Sequence, residues 1–160
     1  MPSKIETKLA ELGLQRPPAP QPLNSYQHVV IVGELAFVAG QPPVIGSERP
    51  FIGRLGDQIT VERGQEAARL SALNVLAQMK VALGGNLDSI VRCVKLGVFV
   101  NSAPDFKGQP MVANGASDLM VALMGDAGRH ARFAVGTIGP MEFTCSVEAI
   151  FQVRDWTGVL

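Results

Sequence analysis

Ile90-Val91-Arg92-Cys93-Val94-Lys95-Leu96-Gly97-Val98-Phe99-Val100 is the stretch that decides the fold. Nearly every position is apolar, the pattern of a central strand covered on both faces. The segment before it, residues 62–83, is the clearest helix of the chain. Ala68, Ala72, Val75, Met79 and Ala82 form one stripe, widened by Leu76 and Leu83, while Glu62, Glu66, Arg69 and Lys80 group elsewhere. Gly84-Gly85 ends it. After the strand, Asn101-Ser102-Ala103-Pro104-Asp105 reads as a turn into a second helix with the stripe Val112, Ala116, Leu119 and Leu123, broken by the glycines at 125–128. Residues 131–138 and 144–153 read as the last two strands, joined through Gly139-Pro140.

Residues 28–32 and 35–39 are two β-rich runs split by Gly33-Glu34, a hairpin signal. Gly40-Gln41-Pro42-Pro43 stops the second run, residues 44–56 read as loop, and residues 59–61 read as a further short strand. At the N-terminus, Ser3-Lys4-Ile5-Glu6 has the capping-box pattern and precedes a short amphipathic helix that Gly13 ends. Arg16-Pro17-Pro18-Ala19-Pro20-Gln21-Pro22 follows as a stiff surface strap. A helix between strands can run as a crossover, so the order predicts an α+β domain with a mixed sheet. The expected organisation is an N-terminal helix and strap at 1–22 and a single domain at 23–156.

The 160 residues suit one domain, and a hydrophobic fraction of 47% supplies a core without disulfides or structural metal. Fourteen basic and fourteen acidic residues cancel, which disfavours a general nucleic-acid binder. Cys93 and Cys145 lie in strand-like runs and read as buried reduced thiols. With His28 and His130 isolated, no metal-ligand spacing is present. The start of the chain has no apolar signal-peptide core, and no apolar run is long enough for a membrane span, so a cytoplasmic protein is expected. The charged fraction of 18% points to apolar surface covered by partner subunits.

Few residues stand out chemically. Arg132, opening an apolar strand after the glycine break, can fork two N–H groups onto a carboxylate or pair with a neighbouring acid. Glu148 sits in the apolar run Cys145-Ser146-Val147-Glu148-Ala149-Ile150-Phe151 and must face solvent, a partner or a site. Gly40 could offer backbone amides to a carboxylate or oxyanion, or could simply be a turn glycine. Tyr26, the only tyrosine, could cap a pocket or pack at a sheet end, and Asn114 lies off the apolar stripe of the second helix. No nucleophile elbow, phosphate loop or dinucleotide fingerprint occurs.

Taken in order, Asn24-Ser25-Tyr26, Val38-Ala39-Gly40-Gln41-Pro42, Val98-Phe99-Val100-Asn101-Ser102-Ala103-Pro104, Val112-Ala113-Asn114-Gly115-Ala116, Gly128-Arg129-His130-Ala131-Arg132 and Val147-Glu148-Ala149-Ile150 resemble the RidA (YjgF) family over about residues 20–154. The resemblance is to its chorismate-mutase-like, endoribonuclease-type branch. It implies a chorismate-mutase-like mixed sheet with two helices packed on one face. It also implies a homotrimeric barrel with clefts between subunits. The implied activity is hydrolysis of reactive 2-imino and enamino acids to 2-keto acids and ammonia, without a cofactor. Arg132 matches the arginine that holds the substrate carboxylate, Tyr26 the pocket tyrosine, Gly40 the glycine whose backbone touches substrate, and Asn114 the helix asparagine. The sequence departs where the family strand carries two glutamates. Ser146 stands at the first, tied to water activation, and Glu148 at the second; Glu148 could take the first place only if the strand slipped. The usual Pro-Ala-Arg-Ser is here His130-Ala131-Arg132-Phe133. The alternatives are a non-catalytic trimer that binds small carboxylic acids and, on the family label alone, an endoribonuclease or translation inhibitor.

Overall fold

A computed structural model describes residues 1–155, so the far end of the expected domain, residue 156, lies outside the described residues. The quoted apolar run forms β3 (Ile90–Asn101), which pairs antiparallel with β5 (Cys145–Val153) and parallel with β4 (Ala131–Thr137). The hairpin of β1 (Val29–Val32) and β2 (Leu35–Gln41) joins β5 on its other side. The five-stranded order is β1-β2-β5-β3-β4, a mixed sheet as expected. Gly33 turns the hairpin at φ 58°, a conformation L side chains rarely adopt.

Two connections run between parallel strands. One passes from β2 to β3 through α2 (Val61–Ala82), the other from β3 to β4 through α3 (Gln109–Met124). Both step the same way across the sheet, so crossovers of one hand must put both helices on one face. Leu96, Val98 and Val100 of β3 and Val147, Ala149 and Phe151 of β5 accordingly pack in one buried cluster with Leu76, Met79, Val112 and Met120 of the helices. Among the described residues, the opposite face carries no helix. The reading of β3 as covered on both faces is therefore corrected for the single chain: Lys95 is exposed, and Phe99 half-buried, on the open side. Around them Val32 is 64%, Phe37 43% and Phe133 53% exposed.

The expected strand at residues 59–61 does not form. Thr60 caps α2 by accepting from the Arg63 N–H, which hands Val61 to the helix, and Ile59 makes only an isolated bridge to Leu55. At the N-terminus the capping box of Ser3 and Glu6 is formed and starts α1 (Lys4–Glu11), with Ile5 and Leu9 buried. The helix is moored at two places: the Lys4 N–H donates to Asp88 Oδ1 at 2.9 Å, and Lys80 Nζ donates to Glu6. The Lys80 bond, seconded by the Ser3 N–H, holds the Glu6 carboxyl below the usual carboxylate range. The strap is tied in turn where Gln78 Nε2 donates to the Pro20 carbonyl at 2.7 Å.

Gly115 is where α2 and α3 come closest, since a Cβ there would sit 2.0 Å from the Gln65 carbonyl oxygen. Gly115→Ala should destabilise the protein by about 1–3 kcal/mol through overpacking, read as a lower urea midpoint. An unchanged midpoint would mean the helices are further apart in solution.

Cys93 and Cys145 are free and buried, and burial pushes both thiols up to about 12 from the ordinary 9. Neither should react with a disulfide probe at pH 8 until the chain unfolds. Because the folded pKa is the higher one, the protonated thiols favour the native state below pH 9, and that contribution should fade as pH rises from 9 toward 12. An alkaline unfolding series on the native protein and a Cys→Ser pair checks the direction.

Candidate functional site

The structure sorts the candidate residues into two groups. The first lines a cavity of about 440 Å³ at the end of the sheet. Its position follows from an irregularity in strand pairing. Between the pairs Val38↔Ala149 and Gln41↔Val147, β2 advances three residues while β5 advances two. This bulge re-aims the chain at Gly40. A Cβ on Gly40 would lie 2.7 Å from Ser146 Oγ, so backbone and hydroxyl meet there closely. Tyr26, from the strap side, lines the same cavity, as do Phe99 of β3 and Phe143.

A buried amide junction supports the bulge. Gln41 is completely buried, and its Nε2 donates to the Ala39 carbonyl and faces His28 Nδ1, both at 3.0 Å. Gln41 Oε1 accepts from Gln78 Nε2 at 3.3 Å. A buried amide with both ends satisfied fixes the local backbone better than an apolar residue would. His28 in turn meets the Tyr26 ring edge-on, with centroids 5.2 Å apart. Gln41 and Gln78 were not singled out from sequence. The available signal was a glutamine within the Gly-Gln-Pro strand end and another inside the apolar helix.

The second group lies on β4 and α3. Arg132 is in register with Leu96 and therefore points to the helix face, where its NH1 donates to Asn114 Oδ1 at 2.7 Å and to Ser117 Oγ at 3.1 Å. Ser117 Oγ lies 2.9 Å from His130 Nε2, and His130 Nδ1 lies 2.6 Å from the Gly128 carbonyl. A carbonyl only accepts, so Nδ1 carries the proton. In the neutral ring Nε2 then accepts from the serine, whose lone pairs remain for the guanidinium. NH1 is thereby held, while Nε and NH2 make no hydrogen bond among the described residues. Ser117 and His130 were not anticipated in this role.

Glu148 joins neither group. It is in register with Gly97 on the open face, exposed, with its side chain laid over the glycine: a Cβ there would meet Oε1 at 2.6 Å. Arg132 and Glu148 thus lie on opposite faces of the sheet. Ser146, opposite Phe99, is the β5 residue whose hydroxyl faces the cavity. No charged side chain is among the cavity's described lining residues. Among the described residues no cluster of three or more His, Cys, Asp or Glu is placed to hold a metal ion.

This architecture defines an α+β protein with both crossover helices on one sheet face and a pocket at the other. Comparison with known proteins identifies the class more closely. The family model "YjgF/chorismate_mutase-like, putative endoribonuclease" matches residues 6–152. "Protein TCP17" of Trypanosoma cruzi is 44% identical over 146 residues, covering 91% of this chain and 90% of that one. A crystal structure described as a "putative endoribonuclease" from Shewanella oneidensis superposes with a TM-score of 0.89 at 32% identity, covering 93% of this chain and 99% of the other. Escherichia coli TdcF with bound serine superposes with a TM-score of 0.60 at 25% identity, covering 88% and 94%. The chain belongs to the YjgF family.

The hydrogen-bond relay behind Arg132 is open to direct measurement. Ring ¹⁵N spectra at a pH where the imidazole is neutral should show His130 as the Nδ1–H tautomer, and Ser117→Ala should shift the Nε2 resonance. An Nε2–H tautomer would contradict the relay.

Proposed function

We propose that the protein hydrolyses reactive 2-imino and enamino acids to 2-keto acids and ammonia, with Arg132 anchoring the substrate carboxylate. The observation that carries this reading is the state of Arg132. One guanidinium nitrogen is held by Asn114 and Ser117, which leaves Nε and NH2 to fork onto a carboxylate. Holding the guanidinium beforehand lowers the ordering cost of that pair. Serine bound to TdcF supports a small carboxylic acid as the kind of ligand.

The arginine and the cavity are separate groups in one chain, and the proposed assembly is a homotrimer that brings Arg132 of one subunit to the Tyr26–Gly40–Ser146 cavity of the next. The open sheet face, with Val32, Phe37 and Phe133 exposed, gives such an assembly an apolar surface to bury. In the reaction, water adds to the electrophilic iminium carbon, and its oxygen forms the new C–O bond. A proton passes from that oxygen to nitrogen, the C–N bond breaks, and ammonia leaves as the carbonyl forms, with the second water proton passing to the departing ammonia to give ammonium. The reaction needs no redox partner, because the substrate carbon is already activated. Ser146 Oγ and the Gly40 backbone are the cavity groups suited to hold the water. Glu148, the only acid of β5 and two residues along on the same side as Ser146, is the proposed proton acceptor.

A second reading is favoured by one observation. Among the described lining residues of the cavity Ser146 supplies a hydroxyl and none supplies a carboxylate, and a serine hydroxyl is a poor base. A trimer that only binds small carboxylic acids fits that lining. The endoribonuclease reading has no comparable support, given zero net charge and an apolar cavity.

The test generates 2-imino acids in situ with an amino-acid oxidase and follows keto-acid release. The purified protein should accelerate it, and Arg132→Ala should lower kcat/KM about 10- to 100-fold, the loss of a charge-assisted pair worth about 1.5–3 kcal/mol. Saturable keto-acid binding without turnover would establish the binding trimer instead. Full activity in Arg132→Ala would remove the arginine from the reading.

A further inference from the structure

The cavity beside Gly40 is larger and more apolar than a three-carbon acid requires. Its volume, about 440 Å³, falls in the range of roughly 300–1,000 Å³ typical of sites for much larger ligands. Leu23, Val44, Phe99, Met141 and Phe143 supply its walls, and its polar lining is confined to uncharged groups. A second carboxylate or an ammonium placed there would meet no countercharge among the described lining residues and would lose its hydration.

The walls are also fixed rather than collapsible. The turn Pro140–Glu142 holds Met141 and Glu142 at φ 55° and 62°, backbone that side chains other than glycine's rarely adopt. Arg49 fastens it from outside, donating to the Met141 carbonyl and stacking 4.5 Å from the centroid of the Phe143 ring. The Glu142 carbonyl accepts from the Gly53 N–H at 2.9 Å. The Gln78 bond to Pro20 fixes the strap, whose Pro20 and Gln21 also line the cavity. A cavity kept open by both walls is shaped for an occupant.

We infer that this cavity receives an uncharged, apolar side chain of branched or aromatic size, so that the preferred ligands are 2-imino and 2-keto acids of the leucine or phenylalanine type. The inference rests on the proposed reading only in placing the carboxylate outside the cavity, toward Arg132. The side chain then points inward, and each methylene it buries should raise affinity roughly fourfold.

The experiment is calorimetric titration of the full-length protein with four 2-keto acids: pyruvate, 4-methyl-2-oxopentanoate, phenylpyruvate and 2-oxoglutarate. The branched and aromatic acids should bind at least about 20-fold more tightly than pyruvate. Despite its longer chain, 2-oxoglutarate should bind no better than pyruvate. Leu23, just after the strap, is 80% exposed, so Leu23→Ala should fold normally, and it should weaken the branched and aromatic acids several-fold more than pyruvate. The turnover assay with leucine-derived and alanine-derived imino acids should give the same order. Equal or tighter binding of pyruvate, or preference for 2-oxoglutarate, overturns this inference and leaves the carboxylate anchor standing. The expected order with no loss in Arg132→Ala supports the inference and overturns the anchor. Binding of none of the four acids overturns both.

Discussion

Everything positioned in this molecule depends on where the two crossovers place their helices. β2 to β3 and β3 to β4 step in the same direction, so α2 and α3 share one face and the other is left bare. That constraint divides the candidate chemistry. Arg132, on the helix face, finds Asn114 and Ser117 because α3 passes beside β4. Ser146 and Glu148, on the open face, meet strand residues, Gly40 and Gly97, in place of a helix. A single sheet thus presents an arginine on one side and a cavity on the other, with β1 and β4 at its edges.

The cavity depends on a smaller device, the buried Gln41 amide. A bulge in an antiparallel pair leaves backbone groups out of the ladder, and Gln41 takes up the slack by bonding Ala39, His28 and Gln78 together. Because Gln78 also holds Pro20, the strand irregularity, the long helix and the N-terminal strap are joined at one point. The approach of Gly40 to Ser146 follows from that junction. A polar group at the centre of a core is commonly a liability; here its partners turn it into the fixture that sets the pocket's geometry.

Much of this was legible in the sequence because it is periodic. The stripes of both long helices and the alternation of the strands name their own elements, and the Ser3–Glu6 box marks its helix start. Two features were misread for physical reasons. Residues 59–61 look like a strand by composition, but Thr60 as a cap outweighs its two apolar neighbours, Ile59 and Val61. A largely apolar run at residues 90–100 does not say whether the chain's own helices cover one face of the strand or both. The site was legible only in part. Tyr26, Gly40 and Ser146 converge across 120 residues of chain, and no spacing rule predicts that. The relay from Arg132 through Ser117 to His130 requires the register of β4 against α3, which a linear reading does not contain. Conversely, the parity of β5 was readable: Ser146 and Glu148 share a face.

The turn at Met141 and Glu142 places stability and shape in opposition. Two side-chain-bearing residues in left-handed backbone carry roughly 1–2 kcal/mol of crowding each. Glycine at either position would relieve that crowding, partly offset by the freedom it gains in the unfolded chain. At position 141 it would also remove the Met141 side chain from the cavity lining, and at either position it would let the wall sample other conformations. Random drift in this turn therefore runs downhill in folding energy and uphill in pocket definition. A variant library selected only for thermal resistance should enrich glycine there, whereas one selected for discrimination among ligands should keep the strained pair.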